Sequence, residues 1–353
     1  MSQSLYVIDG HYQIFRAYYA PYPPLSSPTG EPTKATHAFC ATLFSLIRTR
    51  QPDYIAMVAD IAAESVFRRE IDPQYKANRD PAPEDFPVQA DRIFSIVEAL
   101  GIPILSQRGF EADDLMATIV EQLAGRGIDV FLVSKDKDLE QLLIDDQARL
   151  YDVGKDRVLD AQRLAEDKGY TPEQVIDIQT LTGDTVDNIP GVHGVGVKTA
   201  AKLIQRWGSA QAVLENADQL TPKLKERIRA FADQLERTRS LVTLRRDVPM
   251  TFDLEACRWT GAPTAKVRPI FKELAFTRLV DTLDALAETG DAPRVEHDAA
   301  ELRPEPEIET DYELVDTPEK LDALAMKLAK VSLAANVQST ASVNGAGGLV
   351  DVA

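Results

Sequence analysis

Nine carboxylates are spread along the first 190 residues: Asp9 in LYVIDG, Asp60 in YIAMVAD, Glu111, Asp113 and Asp114 in FEADD, Asp136 and Asp138 in SKDKD, and Asp184 and Asp187 in GDTVDN. So many acids cannot crowd together ionised without cations, because like charges within a few ångströms raise one another's pKa. The natural cation is hard and oxygen-loving: Mg²⁺, with Mn²⁺ as a substitute. Zinc is a poor match, since the chain has four His and two Cys, and neither Cys40 nor Cys257 stands in a ligand-spaced pair.

Just beyond these acids lies a glycine hairpin, GVHGVGVKTA, from Gly191 to Ala200. Turned by Gly191, Gly194 and Gly196 ahead of the helical pattern VKTAAKLIQRW, it would offer backbone N–H groups and a positive helix terminus to phosphate, with Lys198 and Thr199 in the first helical turn. Taken alone, a short GxG fits a plain helix–helix connection better. A second basic patch runs from Phe67-Arg68-Arg69 through Tyr75-Lys76-Ala-Asn-Arg79. Cations beside an aromatic suit phosphate contact and base stacking on a single strand, although a solvated charged face has the same composition.

The acids matter because of where their elements end. LYVID, YIAMVAD and IDVFLVS are short apolar runs rich in Val and Ile, each followed by a helical pattern, which is the signature of parallel strands buried on both faces of an α/β sheet. In open α/β sheets the ligand crevice lies outside the strand carboxyl ends, so Asp9, Asp60 and Asp136 should converge. PILS reads as a fourth strand, leading into the helix ADDLMATIVEQLAG, where Glu111 and Asp114, three apart, can share a face. Any one of these acids is explained equally well as a helix cap. Capping does not explain why acids repeatedly follow buried strands.

Together, LYVIDG-HYQIFRAYYA, Asp60 with FRRE and YKANR, GFEADD, SKDKDLEQLL and LTGDTVDNIPGVHGVGVKTAAKLIQRWGS resemble the 5′→3′ exonuclease (flap endonuclease) domain at the start of bacterial DNA polymerase I. The resemblance covers about residues 4 to 288, and each of the family's nine carboxylates has an acidic counterpart. Tyr12 after His11 and Ile61-Ala-Ala after Asp60 depart from its pattern locally. It implies a PIN-like, flap-nuclease parallel sheet flanked by helices, with a helical C-terminal half built around a helix-hairpin-helix that grips duplex and takes a monovalent cation at its loop. It also implies that residues 67 to 79 enter a helical arch, with Lys76 and Arg79 on the scissile phosphate, Arg68 among the DNA contacts and Tyr75 stacked on an unpaired base. Near Asp9, the cluster of Tyr12, Phe15, Arg16, Tyr18, Tyr19 and Tyr22 is divided between core and surface, with Arg16 as the member expected to reach phosphate.

The net charge of −17 looks wrong for a DNA-binding chain until it is divided. Residues from 291 onward carry −8 of it, and the nine proposed ligands account for the remaining −9, so affinity must come from local basic patches. The start MSQSLYVID has no basic or signal-like region and the apolar runs are too short for a bilayer, which places the expected protein in the cytoplasm with the nucleoid, free of membranes. The two distant cysteines suit a reducing compartment and buried packing.

The expected organisation is a catalytic core with arch over residues 1–175, a DNA-binding half over 176–288, an acidic Pro-containing linker over 289–310 and a tail over 311–353. YELVDTPEKLDALAMKLAKVSLAANVQST in that tail resembles the opening of the 3′→5′ exonuclease domain that follows in the same family. There Asn336 and Gln338 occupy the positions of the metal-binding DxE pair, and neutral amides cannot replace two anionic ligands. The sequence ends before the rest of such a domain, or a polymerase, would fit.

The expected function is a monomeric, structure-selective 5′ nuclease that uses two or more Mg²⁺ ions on DNA with 5′ flaps, nicks or 5′ ends, RNA primers included, in replication and repair. Asp9, Asp60, Glu111, Asp113 and Asp114 are expected around the inner ion and Asp136, Asp138, Asp184 and Asp187 around the second, with Asp9, Asp60, Asp114, Lys76 and Arg79 as the catalytic set. The alternatives are a non-catalytic DNA-junction binder, in which the acids serve only structure, and a PIN-like ribonuclease sharing the acidic crevice.

Overall fold

The computed structural model describes residues 2–61, 66–145 and 147–288, which belong to one compact unit. The expected linker and tail over 289–353 lie outside the described residues.

Six strands form one sheet in the order β3-β2-β1-β4-β5-β6: β1 (Gln3–Asp9), β2 (Tyr54–Val58), β3 (Ile104–Leu105), β4 (Ile128–Val133), β5 (Ala148–Asp152) and β6 (Arg157–Leu159). The first five are parallel and β6 returns antiparallel. Side chains alternate between faces with a period of two, and both faces are buried. Leu5, Val7, Val58, Val130 and Leu132 point into one core, Tyr6, Ile8, Ile55 and Met57 into the other. At about 1.5–3 kcal/mol per fully buried large apolar side chain, these two layers are the main reason the central strands cannot slip register.

The helices divide by face. Apolar stripes of α1 (Gly10–Tyr18), α2 (Lys34–Arg50), α4 (Phe86–Ala99), α12 (Thr264–Glu273) and α13 (Thr277–Glu288) cover the second core. The first is covered by α5 (Ala112–Gln122), α6 (Ala161–Lys168), α7 (Pro172–Thr182), α8 (Val197–Trp207), α9 (Ala210–Glu215), α10 (Pro222–Ala230) and α11 (Leu235–Val242). Val7 of the sheet and Val192 of the glycine hairpin share this core, so the expected boundary near residue 175 is bridged by continuous packing. A five-residue helix, α3 (Phe67–Ile71), lies in the basic patch. Among the described residues no helix is long and apolar enough to cross a membrane.

The hairpin of β5 and β6 is not anticipated by the sequence reading, because ARLYD and RVL are short and interrupted by charges. Residues 222–242 form two helices, α10 and α11, and a residue in the left-handed region, Ala275 at φ 58°, separates α12 from α13. Strand order builds outward from β1 through β2 to β3 and then resumes at β4 on the other side of β1. The gap between the ends of β1 and β4 is therefore the topological switch point, where ligands bind in such sheets.

Candidate metal centre and nucleic-acid interface

Asp9 ends β1 and caps α1, accepting the Tyr12 N–H at 3.2 Å while its other oxygen accepts Ser134 Oγ at 2.9 Å. Ser134 leaves β4 and in turn accepts the Asp136 N–H at 3.1 Å, and Asp136 accepts the Asp138 N–H at 3.0 Å. Capping is thus real at each step, and the caps link the two strand ends at the switch point. Asp60, just past β2, accepts the Ala112 N–H of α5 at 2.7 Å. Its own N–H donates to His11 Nδ1 at 3.2 Å, which leaves that nitrogen an acceptor.

Asp113 opens α5 one residue after the Ala112 N–H that Asp60 accepts. Burial, then the charges of Asp9, Asp136, Asp138 and Asp60, push its carboxyl well above the ordinary range. Burial likewise raises Asp9 and Asp138 to about 7, with Asp60 and Asp136 adding to the first and Asp136 and Asp184 to the second. Among the described residues, Asp138, Asp184 and Asp187 offer ligand oxygens within 4.8 Å of one another. An all-carboxylate set of this size suits a hard divalent ion and contains no soft donor.

Asp184 and Asp187 reach the site on a tight loop whose ends pair, Asp184 N–H to Ile189 O at 2.9 Å and Ile189 N–H to Asp184 O at 2.7 Å. The basic patch docks on this loop. Lys76 donates its N–H to Asp187 O at 2.9 Å, Asn78 its amide to Thr185 O at 2.8 Å, and Asn188 its amide to Gln74 O at 2.7 Å. Lys76 and Asn188 both adopt left-handed backbone, at φ 55° and 56°. Non-glycine residues hold that conformation only where their surroundings enforce it.

The side chains of this patch mostly face the acids. Lys76 Nζ hydrogen-bonds Glu111, Arg79 Nη2 lies 2.5 Å from Asp187 Oδ1, and Lys137 Nζ lies 2.9 Å from Asp184 Oδ2. Burial works to raise Glu111, but Lys76 and Arg68 beside it and the Tyr75 hydroxyl hold it below the usual carboxylate range. Lys76, Arg79 and Lys137 thus neutralise the acids here, and a divalent ion would compete with them.

Three expectations are corrected by this geometry. Arg68, expected on DNA, is 2 % exposed, and its guanidinium donates to Asp114, Glu111 and the carbonyls of Leu241 and Thr243. Tyr75, expected to stack on a base, is buried with its hydroxyl 2.7 Å from Glu111 Oε2. Asp114, expected as an inner metal ligand and catalytic residue, is fully buried. It accepts four hydrogen bonds, two from Arg68 and one each from the N–H groups of Glu111 and Arg245. A carboxylate has about four lone-pair sites, so none is left for an ion. With Glu111 also engaged by three donors, the expected inner set is not gathered as one group; Asp9, Asp60 and Asp113 remain near Asp136 and Asp138.

The hairpin follows the acidic loop directly. Gly191 touches backbone: a Cβ on it would lie 2.2 Å from Thr182 C, and one on Gly183 would lie 2.5 Å from Gly191 N. This close crossing seats the hairpin against the end of α7 and makes Gly191 a packing residue. Gly194 turns the loop at φ 72°, and Gly196, the N-cap of α8, brings no side chain to cap the first N–H groups. Gly194, Gly196, Lys198 and Thr199 are exposed beside an open cleft of about 710 Å³ between residues 182 and 196. Arg16 sits on α1, paired with Asp152. Both cysteines are buried.

Ser134, Gln179 and Asp152 were not singled out by the sequence reading. Gln179 donates to Asp138 Oδ1 at 2.6 Å from the middle of α7. Ser134 carries a signal, since it directly precedes KDKD at the strand end; Gln179 and Asp152 carry none, because their roles depend on packing between distant segments.

The chain is 38 % identical over 284 residues to DNA polymerase I of Rhizobium leguminosarum, a match covering 78 % of this chain and 28 % of that protein. The thermostable DNA polymerase I of Thermus aquaticus is 36 % identical over 274 residues, covering 78 % and 32 %. The chain therefore spans about a third of the length of these relatives. Among solved structures, T5 5′-exonuclease with bound zinc superposes with a TM-score of 0.58 at 23 % identity, covering 82 % of this chain and 98 % of that one. Flap endonuclease-1 from Methanococcus jannaschii does so with 0.52 at 17 %, covering 81 % and 92 %. These two structural likenesses establish the fold. The family model for the 5′-3′ exonuclease N-terminal resolvase-like domain matches residues 4–169 and that for its C-terminal SAM fold matches 170–265, so the chain belongs to the 5′-3′ exonuclease family.

Proposed function

We propose that this chain is a divalent-metal-dependent 5′ nuclease that cuts DNA near single-strand/duplex junctions, at 5′ flaps, nicks and 5′ ends, RNA primers included. The observation that carries this reading is the gathering of Asp138, Asp184 and Asp187 within 4.8 Å, next to the raised carboxyls of Asp9, Asp113 and Asp136. Two or more Mg²⁺ ions fit this donor set best, supplying water activation and charge stabilisation on the departing oxygen when bound.

The chain's own residues do the rest. Ser134 and Gln179 orient Asp9 and Asp138. Lys76 and Arg79, released from Glu111 and Asp187 as cations arrive, are close enough to the acids to meet the scissile phosphate and stabilise charge there. The hairpin's exposed N–H groups, with Lys198 and Thr199, grip the duplex backbone away from the cut, and a monovalent cation at the hairpin loop belongs to the same reading. The protein would work as a monomer in the cytoplasm, in replication and repair, as the leading part of a DNA polymerase I.

The test is cleavage of a 5′-flap DNA and of single-stranded RNA of equal length, each with Mg²⁺ and with chelator. Mg²⁺-dependent cutting of the flap near its junction is expected. Flap binding without cutting would favour a junction-binding protein, and preference for the RNA would favour a ribonuclease.

A further inference from the structure

Two cations outside the Glu111–Asp187 cluster are tied to the crevice by one buried acid. Asp152 ends β5, is 8 % exposed, and gives one oxygen to each: Arg16 Nη1 lies 3.2 Å from Oδ1, and Lys135 Nζ lies 3.2 Å from Oδ2. Oδ1 also accepts the Gly154 N–H at 3.0 Å, which fixes the carboxylate on the β5–β6 turn. Arg16 lies two helical turns after Asp9, and Lys135 lies between Ser134 and Asp136.

Gly154 makes room for this arrangement. A Cβ there would stand 1.7 Å from Arg16 Nη2 and 2.9 Å from Cζ. Its backbone is not left-handed, so the glycine is required by the guanidinium it seats and not by the turn. Arg16 is partly exposed, while its Nη1 is itself buried against Asp152 as an ion pair and makes no hydrogen bond among the described residues. A guanidinium has five N–H donors, and Asp152 leaves most of them unspent. Holding two flexible cations in place before a ligand arrives lowers the ordering cost of binding.

We infer that Asp152 and Gly154 are positioning residues that set Arg16 and Lys135 as a preformed pair of phosphate ligands for the strand entering the crevice. This rests on the nuclease reading above.

The experiment is a double-mutant cycle on a 5′-flap DNA, read as KM, kcat and the salt dependence of the dissociation constant in chelator. Gly154→Ala and Arg16→Gln should each raise KM about tenfold, the scale of one charge-assisted hydrogen bond, with kcat held within about twofold. Each should reduce the salt slope by about one. The double variant should be no worse than Arg16→Gln alone, because the alanine acts only by evicting that guanidinium. Asp152→Asn, which can still accept the Gly154 N–H, should raise KM in the wild-type background but not with Arg16 and Lys135 both changed to Gln. Should Gly154→Ala lower the melting temperature by overpacking, Arg16→Ala should restore it. A wild-type KM for Gly154→Ala, or effects that add in the double variant, would overturn the inference. Absence of cleavage by the unaltered chain would sink the nuclease reading instead, while the dissociation constants still decide the coupling.

Discussion

Arg68 forks onto Asp114 through two hydrogen bonds of 2.7 and 2.8 Å, with both side chains withdrawn from solvent. The same guanidinium donates to the Leu241 carbonyl, and Asp114 accepts the Arg245 N–H, so the pair fastens the basic patch and α5 to the last turn of α11 and the chain just after it. Removing one partner of a buried ion pair leaves the other uncompensated, which costs about 3–5 kcal/mol. Arg68→Ala and Asp114→Asn should therefore lower the denaturant midpoint strongly, and Arg68→Ala should leave the salt dependence of DNA binding unchanged. Unaltered stability with weaker binding would return Arg68 to the DNA surface.

Asp138→Asn should behave differently. It removes one of three clustered oxygen donors while Gln179 can still pair with the remaining carbonyl. The variant should fold normally, bind flap DNA in chelator within a few fold of wild type, and lose both Mg²⁺-dependent cleavage and the rise in melting temperature on adding Mg²⁺. Calorimetric titration with Mg²⁺ checks this without any turnover, and wild-type ion affinity would remove Asp138 from the centre.

The chelated protein should lose stability as the pH rises. Asp9 and Asp138, pushed up to about 7 by burial and neighbouring acids, bind protons more tightly folded than unfolded. Their contribution is complete below the unfolded carboxylate range near 4 and is lost as the pH climbs through about 7. Glu111, held low by Lys76 and Arg68, works in the opposite sense and is lost only in acid. Melting temperatures in chelator should fall from pH 5.5 to pH 8, and added Mg²⁺ should raise them more at pH 8. An equal effect of Mg²⁺ at both values would show that the ion does not replace those protons.

Lys76 and Lys198 should separate chemistry from grip. Lys76 lies on the acid cluster and Lys198 at the exposed start of α8. Lys76→Ala should mainly lower the single-turnover rate, whereas Lys198→Ala should mainly weaken duplex binding and reduce its salt slope by about one. Identical profiles for the two variants would refute this division of labour.

The sequence by itself determined the sheet and the place of the site. Unbroken Val- and Ile-rich runs such as YVID and IAMV can only be strands buried on both faces, and helical patterns between them force parallel crossovers. Acids at the ends of such strands share one edge of the sheet, and Asp9 and Asp136 are linked there through Ser134. Tertiary structure alone decided which charges face solvent and which face each other. Arg68, Tyr75 and Asp114 read as ligand-binding residues by type and spacing, yet their partners lie up to 175 residues away along the chain. Burial pairs charges across segments that sequence spacing does not relate, because an ionised group leaves water only when another segment brings its counter-charge. Asp152 depends on the same rule, since its hold on Arg16 and Lys135 exists only once β1, β4 and β5 lie side by side in the sheet.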